Sequence, residues 1–301
     1  MTIEKYVVPR SIEEALHCLA SESVTMFAGG TDLMPQTKSG ARSFQSTVMN
    51  LNRLDELKGI TLANDIITIG ARTTVTDILF NPLLQEHAPV LPETADCFAS
   101  GQVRNSATLG GNICNASPAG DMIIPLLLLD AEVELASCGN PSLREKKNAI
   151  ATRRIPLHEF FLAPGRTKRE PNELLTKISF PLPPKNFIAR FKKFGTRPAL
   201  DLSVVSIGIA GVWESIPSGK ENGSLTQVRA AFGAVAPTPL RLQSLEKEIE
   251  RESLSGKRIV EIAGSAKESI KPIDDIRASA WYRKEVTHTL TKRILDDISK
   301  A

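Results

Sequence analysis

Two stretches of the chain set a pair of adjacent glycines beside a hydroxyl residue. TMFAGGTDL, residues 25–33, runs from an extended Thr25, Met26 and Phe27 through Ala28 into Gly29 and Gly30, then Thr31 and Asp32, before the apolar Leu33. TLGGNICNASPAGD, residues 108–121, places Gly110 and Gly111 between Thr108 and Asn112 and ends at Asp121. Glycine permits φ > 0 and carries no Cβ, so a ligand can come close to the main chain. Successive peptide N–H groups in such a turn form a concavity that binds anions. Taken alone, the first stretch is also compatible with a plain tight turn. It matches neither GxGxxG nor GxxxxGK[ST], which disfavours a Rossmann or Walker site. Two such loops together suit a ligand with two phosphates lying extended between them; spacing leaves two unrelated turns as the alternative.

Other chemistries find little support. His17, His87, His158 and His288 are dispersed and adjoin no carboxylate cluster, which argues against a metal site. No nucleophile and base stand together, so no catalytic residue is assigned. Cys18, Cys97, Cys114 and Cys138 are far apart, without a CxxC pair, and read as reduced thiols filling space like small buried hydrophobes. With 37 Lys plus Arg against 34 Asp plus Glu, net charge is only +3, and scattered basic residues leave no nucleic-acid footprint. The longest basic stretch, residues 142–154, reads as a solvated loop, with docking to an acidic partner as the alternative. The N-terminus has no apolar core of a signal peptide, and no apolar run reaches the roughly 18 residues of a spanning helix. A cytoplasmic protein is expected.

The elements that must position the glycine loops follow from periodicity. A chain of 301 residues predicts two or three domains. SIEEALHCLA (11–20) opens with a Ser11 to Glu14 capping box and places Ile12, Ala15, Leu16 and Leu19 on one helical face. DIITIGARTTVTDIL (65–79) reads as a strand over Ile66 to Ile69, a turn, and a helix capped near Thr76. The same order of strand, turn and helix accompanies TMFAGG. From Pro118 to Leu129 the near-continuous apolar run predicts a buried helix, followed by an alternating strand at 131–137. Pro181, Pro183 and Pro184 interrupt both patterns and mark a domain boundary. Beyond it lie an extended segment at 202–213, a hairpin-like turn SGKENGSL (218–225), another strand in QVRAAFGAV, and a helical tail with LQSLEKEIERES and SAWYRKEVTHTLTKRILDDI.

AGGTDL followed by TLGGNICNASPAGD resembles the FAD-binding (medium) subunit of the molybdenum hydroxylase family, of the carbon monoxide dehydrogenase and xanthine dehydrogenase type. The resemblance continues in IGARTTVTDI (69–78), NELLTKI (172–178), FKKFGTRPALDLSVVSIGIA (191–210), AFGAVAPTPLR (231–241) and WYRKEVTHTLTKRIL (281–295), most of the chain in order. It implies an α/β (α+β) architecture: a PCMH-type FAD-binding region at 1–180, with subdomains of about 1–57 and 58–180, and a C-terminal three-stranded sheet with helices at 185–298. The first loop, Met26, Phe27, Ala28, Gly29, Gly30, Thr31, Asp32 and Leu33, would hold the FAD pyrophosphate. Thr108, Gly110, Gly111 and Asn112 would complete the cradle. Phe98 would lie against the isoalloxazine, and Asp121, Leu175 and Lys193 match further flavin contacts. An aromatic face and a leucine suit a flavin ring, and a cation near it stabilises the reduced anion.

Each of these residues also has a plain structural reading. Phe98 and Leu175 fit core positions, Lys193 beside Lys192 fits a solvated pair, and Asp121 fits a cap for the apolar helix after it. The resemblance further implies a complex with a molybdopterin-binding large subunit and a [2Fe-2S] small subunit, docked beside the glycine loops. In it this chain relays electrons to an acceptor. One relative of the family carries an extra [4Fe-4S] cluster, which needs about four thiolates in one place; the spread of the four cysteines predicts none here. A self-sufficient flavin oxidase or reductase of related fold is the alternative function.

Overall fold

A computed structural model describes residues 3–139, 150–197, 200–214, 223–251 and 253–300. The basic segment at 142–149 and the turn at 218–222 lie outside the described residues.

The chain begins with a small parallel sheet of β1 (Lys5–Val7), β2 (Val24–Phe27) and β3 (Thr47–Asn50), in the order β1-β3-β2. The helix Ile12–Ser21 forms the crossover from β1 to β2. Ser11 caps it, its hydroxyl accepting the Glu14 N–H at 3.2 Å, while the Glu14 carboxylate accepts from Arg10 N–H rather than from Ser11. Ala15, Leu16 and Leu19 are buried as the periodicity predicts, in a cluster with Met49, Leu51, Leu54 and Leu57.

A second, antiparallel sheet follows, built of β4 (Ile60–Ala63), β5 (Ile66–Gly70), β6 (Glu132–Cys138) and β7 (Ile150–Pro156), with β10 (Leu174–Pro181) at its centre. Its order is β4-β5-β10-β6-β7, and the short hairpin β8 (Phe161–Ala163) and β9 (Arg166–Thr167) stands apart. Between β5 and β6 the chain makes six short helices, five of which bury apolar residues in one core over the sheet. The first of them starts earlier than expected: Thr74, not Thr76, is the cap of Val75–Leu79. A complete capping box joins the Thr74 hydroxyl to Asp77 N–H and the Asp77 carboxylate to Thr74 N–H. Thr74→Ala is expected to cost about 1 kcal/mol, the usual worth of such a cap, read as a lowered urea midpoint; an unchanged midpoint would show that the bridge from Thr74 to Thr108 holds this turn without the cap.

The apolar run after Pro118 is helical only over Ile123–Leu128, all six residues buried. Pro118 to Gly120 form a turn instead, in which Gly120 N–H donates to the Ser117 carbonyl.

The C-terminal part is an antiparallel sheet of β11 (Phe187–Phe194), β12 (Val205–Glu214) and β13 (Ser224–Gly233), the three strands expected, with a two-residue edge strand β14 (Leu240–Arg241). The helices Gln243–Glu250, Gly256–Ser269 and Ala280–Ile298 accompany it; the middle one, capped by Ser255, lies between the two helical stretches read from the sequence. β12 is buried along both faces because it stands between two cores. Ile207 and Ile209 join the C-terminal helices, whereas Ala210 joins the core around Ile124 and Leu128. Gly208 is bare for the same reason: a Cβ there would meet Leu128 Cδ1 at 2.7 Å. Arg229 and Arg241 of this sheet both reach Asp130, which follows the helix Ile123–Leu128 and ties the C-terminal sheet to the preceding core. No described helix is long and apolar enough to cross a membrane.

Candidate functional site

β2 ends at Phe27, and the chain then turns through Ala28–Asp32 into the short helix Leu33–Lys38. Gly30 holds φ at +70°, a left-handed conformation that side chains disfavour. Among the described residues, the main-chain N–H groups of Gly29, Gly30, Thr31 and Asp32 find no protein acceptor. These four adjacent residues line a cleft, so their donors face water or a ligand there.

The second loop is built differently. Leu109 N–H donates to Thr73 O, Gly110 N–H to Ala71 O at 2.8 Å, and Asn112 N–H to Thr108 O. Thr108 caps the helix Leu109–Asn115, its hydroxyl accepting Gly111 N–H at 3.1 Å. The donors of this loop are used inside the protein, so it presents a close wall. What remains is the Asn112 side-chain oxygen, buried and, among the described residues, without a partner.

The glycine pairs are bare mostly for the sake of this wall. A Cβ on Gly29 would lie 1.9 Å from the carbonyl oxygen of Ser106, and one on Gly110 would lie 2.8 Å from both the Cβ and the carbonyl oxygen of Ala71. The first loop is pressed onto the chain leading to the second.

Between them opens a cleft of about 470 Å³, within the usual range of roughly 300–1,000 Å³ for small-molecule sites. The cleft brings together Met26, Ala28, Gly29, Gly30, Thr31, Asp32, Leu33, Phe98, Thr108, Gly110, Gly111, Asn112 and Leu175. Phe98 also packs against the main core, and Leu175, on β10, is buried. Three expected residues do not line it. Phe27 lies beneath the loop, its ring 2.5 Å from where a Gly30 Cβ would stand. Asp121 and Lys193 pair with each other at 2.6 Å, 7% and 11% exposed, and Ser203 also donates to Asp121. Lys193 is therefore no solvated surface lysine; its ammonium lies 3.4 Å from the carbonyl oxygen of Cys97, the residue before Phe98. Nor does Asp121 cap the helix Ile123–Leu128 after it, whose N-cap is Met122 and which has no side-chain cap.

The cleft also contains residues that sequence reasoning missed, among them Arg42, Arg72, Cys114, Asn115, Arg166 and Arg169. Pro164-Gly165 before Arg166 is a turn signature, and Gly165 does turn at φ +70°, but nothing in the sequence says where the arginine points. Asp32 is the one carboxylate among the described residues of the cleft, and desolvation pushes it above its usual range. Burial pushes the Cys114 thiol up as well, against the pull of Arg169 and Arg42. The cysteines are free, yet none is fully buried and Cys97 is exposed, so they are not simply small core residues. No histidine lines the cleft.

A run of free N–H donors, an aromatic and aliphatic wall at Phe98, Leu174 and Leu175, and an unpaired Asn112 oxygen fit a flavin dinucleotide. The comparisons agree. Residues 2–183 match the FAD binding domain in molybdopterin dehydrogenase, and residues 189–298 match the CO dehydrogenase flavoprotein C-terminal domain. The chain is 32% identical to the xanthine dehydrogenase FAD-binding subunit of Escherichia coli O157:H7, over 95% of this chain and 93% of the relative. It is 30% identical to the glyceraldehyde dehydrogenase medium chain of Sulfolobus acidocaldarius, over 98% of each. The structure superimposes on carbon monoxide dehydrogenase from Hydrogenophaga pseudoflava with a TM-score of 0.87 at 26% identity, covering 98% of this chain and 96% of the other. The chain belongs to the FAD-binding subunit family of the molybdopterin dehydrogenases and is an FAD-binding oxidoreductase subunit.

Proposed function

We propose that this chain is the electron-transfer component of a molybdenum hydroxylase complex. It takes electrons from [2Fe-2S] clusters on a small subunit and delivers them to an external acceptor, while a molybdopterin-binding large subunit hydroxylates the organic substrate. The observation that carries the reading is the run of four unpaired N–H groups from Gly29 to Asp32 at the cleft. FAD supplies the exchange between one-electron and two-electron chemistry. The residues of the chain bind and orient it. Gly29 to Asp32 donate to the diphosphate, Asn112 accepts from a ligand N–H or O–H, and Phe98 and Leu175 shape the wall that excludes water from the ring.

The binding is non-covalent. Thiolate is the nucleophilic form of cysteine, and burial holds Cys114 as the thiol. We assign residues 1–180 to the FAD-binding region, with subdomains of about 1–57 and 58–180, and residues 185–298 to the C-terminal domain. The partner face lies beside the glycine loops, where the cleft opens. Four free thiols support a reducing compartment, and with it the cytoplasm.

Two measurements test the reading. Denaturing the purified chain should release about one FAD per chain into the supernatant, and release of FMN, or flavin held on the precipitate, would contradict it. In reconstitution, substrate should bleach the flavin only when both the molybdenum and the iron–sulfur subunits are present. Bleaching of the isolated chain by an aldehyde or aromatic substrate at a catalytic rate would point to a self-sufficient oxidase.

A further inference from the structure

Among the described residues, four arginines line the cleft, and they differ in what holds them. Arg72 donates to the Leu54 carbonyl at 2.7 Å and lies 3.6 Å from Asp55. Arg169 donates to the main-chain carbonyls of Glu170 and Glu173. Both are occupied by the protein. The side chains of Arg42 and Arg166 are exposed and, among the described residues, make no hydrogen bond or ion pair.

The backbones that carry these two are nevertheless anchored, and in different subdomains. Arg42 follows the helix Leu33–Lys38, and its N–H donates to the Gln36 carbonyl at 3.1 Å. Arg166 stands in the hairpin β8–β9, whose Gly165 N–H donates to Ala116 O at 3.1 Å, at the end of the second-loop helix. Two fixed main-chain positions thus hold two uncommitted guanidinium groups at one cleft. With Asp32 as its one carboxylate, the lining has a surplus of positive charge. The field of Arg42 reaches inward, since it and Arg169 pull down the thiol of Cys114.

We propose that Arg42 and Arg166 form a guanidinium clamp at the cleft that binds the diphosphate of FAD. The inference rests on the FAD reading above and adds to it the residues that supply countercharge. Peptide N–H groups are dipoles and carry no net charge, so the run at Gly29–Asp32 leaves a dianionic diphosphate uncompensated. Guanidinium presents paired donors that match two phosphate oxygens. The clamp therefore makes the site one for phosphorylated flavins, with affinity in the diphosphate as well as in the ring.

The test is a titration of the full chain, after removal of its flavin, with FAD, riboflavin and ADP. For Arg42→Gln and Arg166→Gln, each lost charged contact should weaken FAD and ADP about tenfold, and the double variant more, because charge-assisted hydrogen bonds are the strong ones. Riboflavin, which has no phosphate, should bind all variants as it binds the wild type. The dependence of FAD affinity on salt should flatten in the same variants, since screening then has less to act on. Arg42→Lys keeps a point charge but not the fork, and should lie between. FAD binding equal to wild type in the double variant would overturn the clamp. So would equal weakening of FAD and riboflavin, which would mark a general distortion of the cleft. A wild-type chain that takes up riboflavin and FAD equally, or neither, would overturn the underlying FAD reading and the clamp with it.

Discussion

Gly29→Ala, the addition of one methyl group, is expected to empty the flavin site and to destabilise the fold by about 3 kcal/mol or more, the upper end of what overpacking costs. The new Cβ would stand 1.9 Å from the carbonyl oxygen of Ser106, 2.6 Å from its carbon and 3.1 Å from Ala107 N. All three are main-chain atoms. No rotamer change can relieve the clash, so the first loop must lift off the segment before the second, and the cleft between them loses its shape. Gly101→Ala is the control, because nothing lies within 4 Å of a Cβ there and Gly101 opens a helix in ordinary conformation. It should be neutral or stabilising by about 0.5 kcal/mol through the unfolded chain. Gly30→Val should also lose flavin, for a different reason: φ of +70° strains any branched residue, and Phe27 stands in the way. The measurements are flavin per chain by absorbance and the thermal midpoint. A Gly29→Ala protein with both values unchanged would show that the two loops do not press together.

That prediction marks where the sequence was legible and where it was not. Adjacent glycines say that a Cβ is unwelcome, but they do not say what excludes it. Local pattern cannot distinguish a phosphate from the Ser106 carbonyl, 77 residues along the chain, because that contact exists only once the chain has folded. For the same reason both loops read as anion cradles, although the N–H groups of Gly110 and Gly111 are used by Ala71 and Thr108. The helix at Ile12 was legible because its cap and its apolar face are both local. The cap of the helix at Val75 was misplaced by two residues, since TTVT offers threonines on both sides of Val75 and only the reciprocal bond to Asp77 selects Thr74. The apolar run at 118–129 was read as one helix because apolarity reports burial; Pro118 to Gly120 are buried or half-buried in a turn. The arginines of the cleft gave no signal, because a side chain's target depends on the chain opposite.

Lys193→Met should lower stability by about 3–5 kcal/mol near neutral pH, the cost of leaving one partner of a buried ion pair alone. Asp121 lies in the turn after the second loop and Lys193 on β11, so this pair, with Ser203, joins the flavin-binding region to the C-terminal sheet. Burial pushes the Asp121 carboxyl above its usual range, and Lys193 is the first of the groups that pull it back. Without the ammonium, the folded protein holds Asp121 by preference in its protonated form. A carboxyl whose folded pKa is raised contributes its stability below the unfolded value of 3.8 and loses it as pH rises through the folded pKa. The deficit of Lys193→Met relative to wild type should therefore be smallest in acid and grow with pH, the reverse of ordinary acid denaturation. Asp121→Asn in the same chain removes the titrating group, so the double variant should recover part of the stability at neutral pH and its deficit should no longer grow with pH. Thermal midpoints of the three proteins from acid to neutral pH decide the matter. A deficit that is constant with pH would mean that water reaches Asp121 and that the join between the two regions rests on the Asp130 arginines and the apolar contacts of β12 instead.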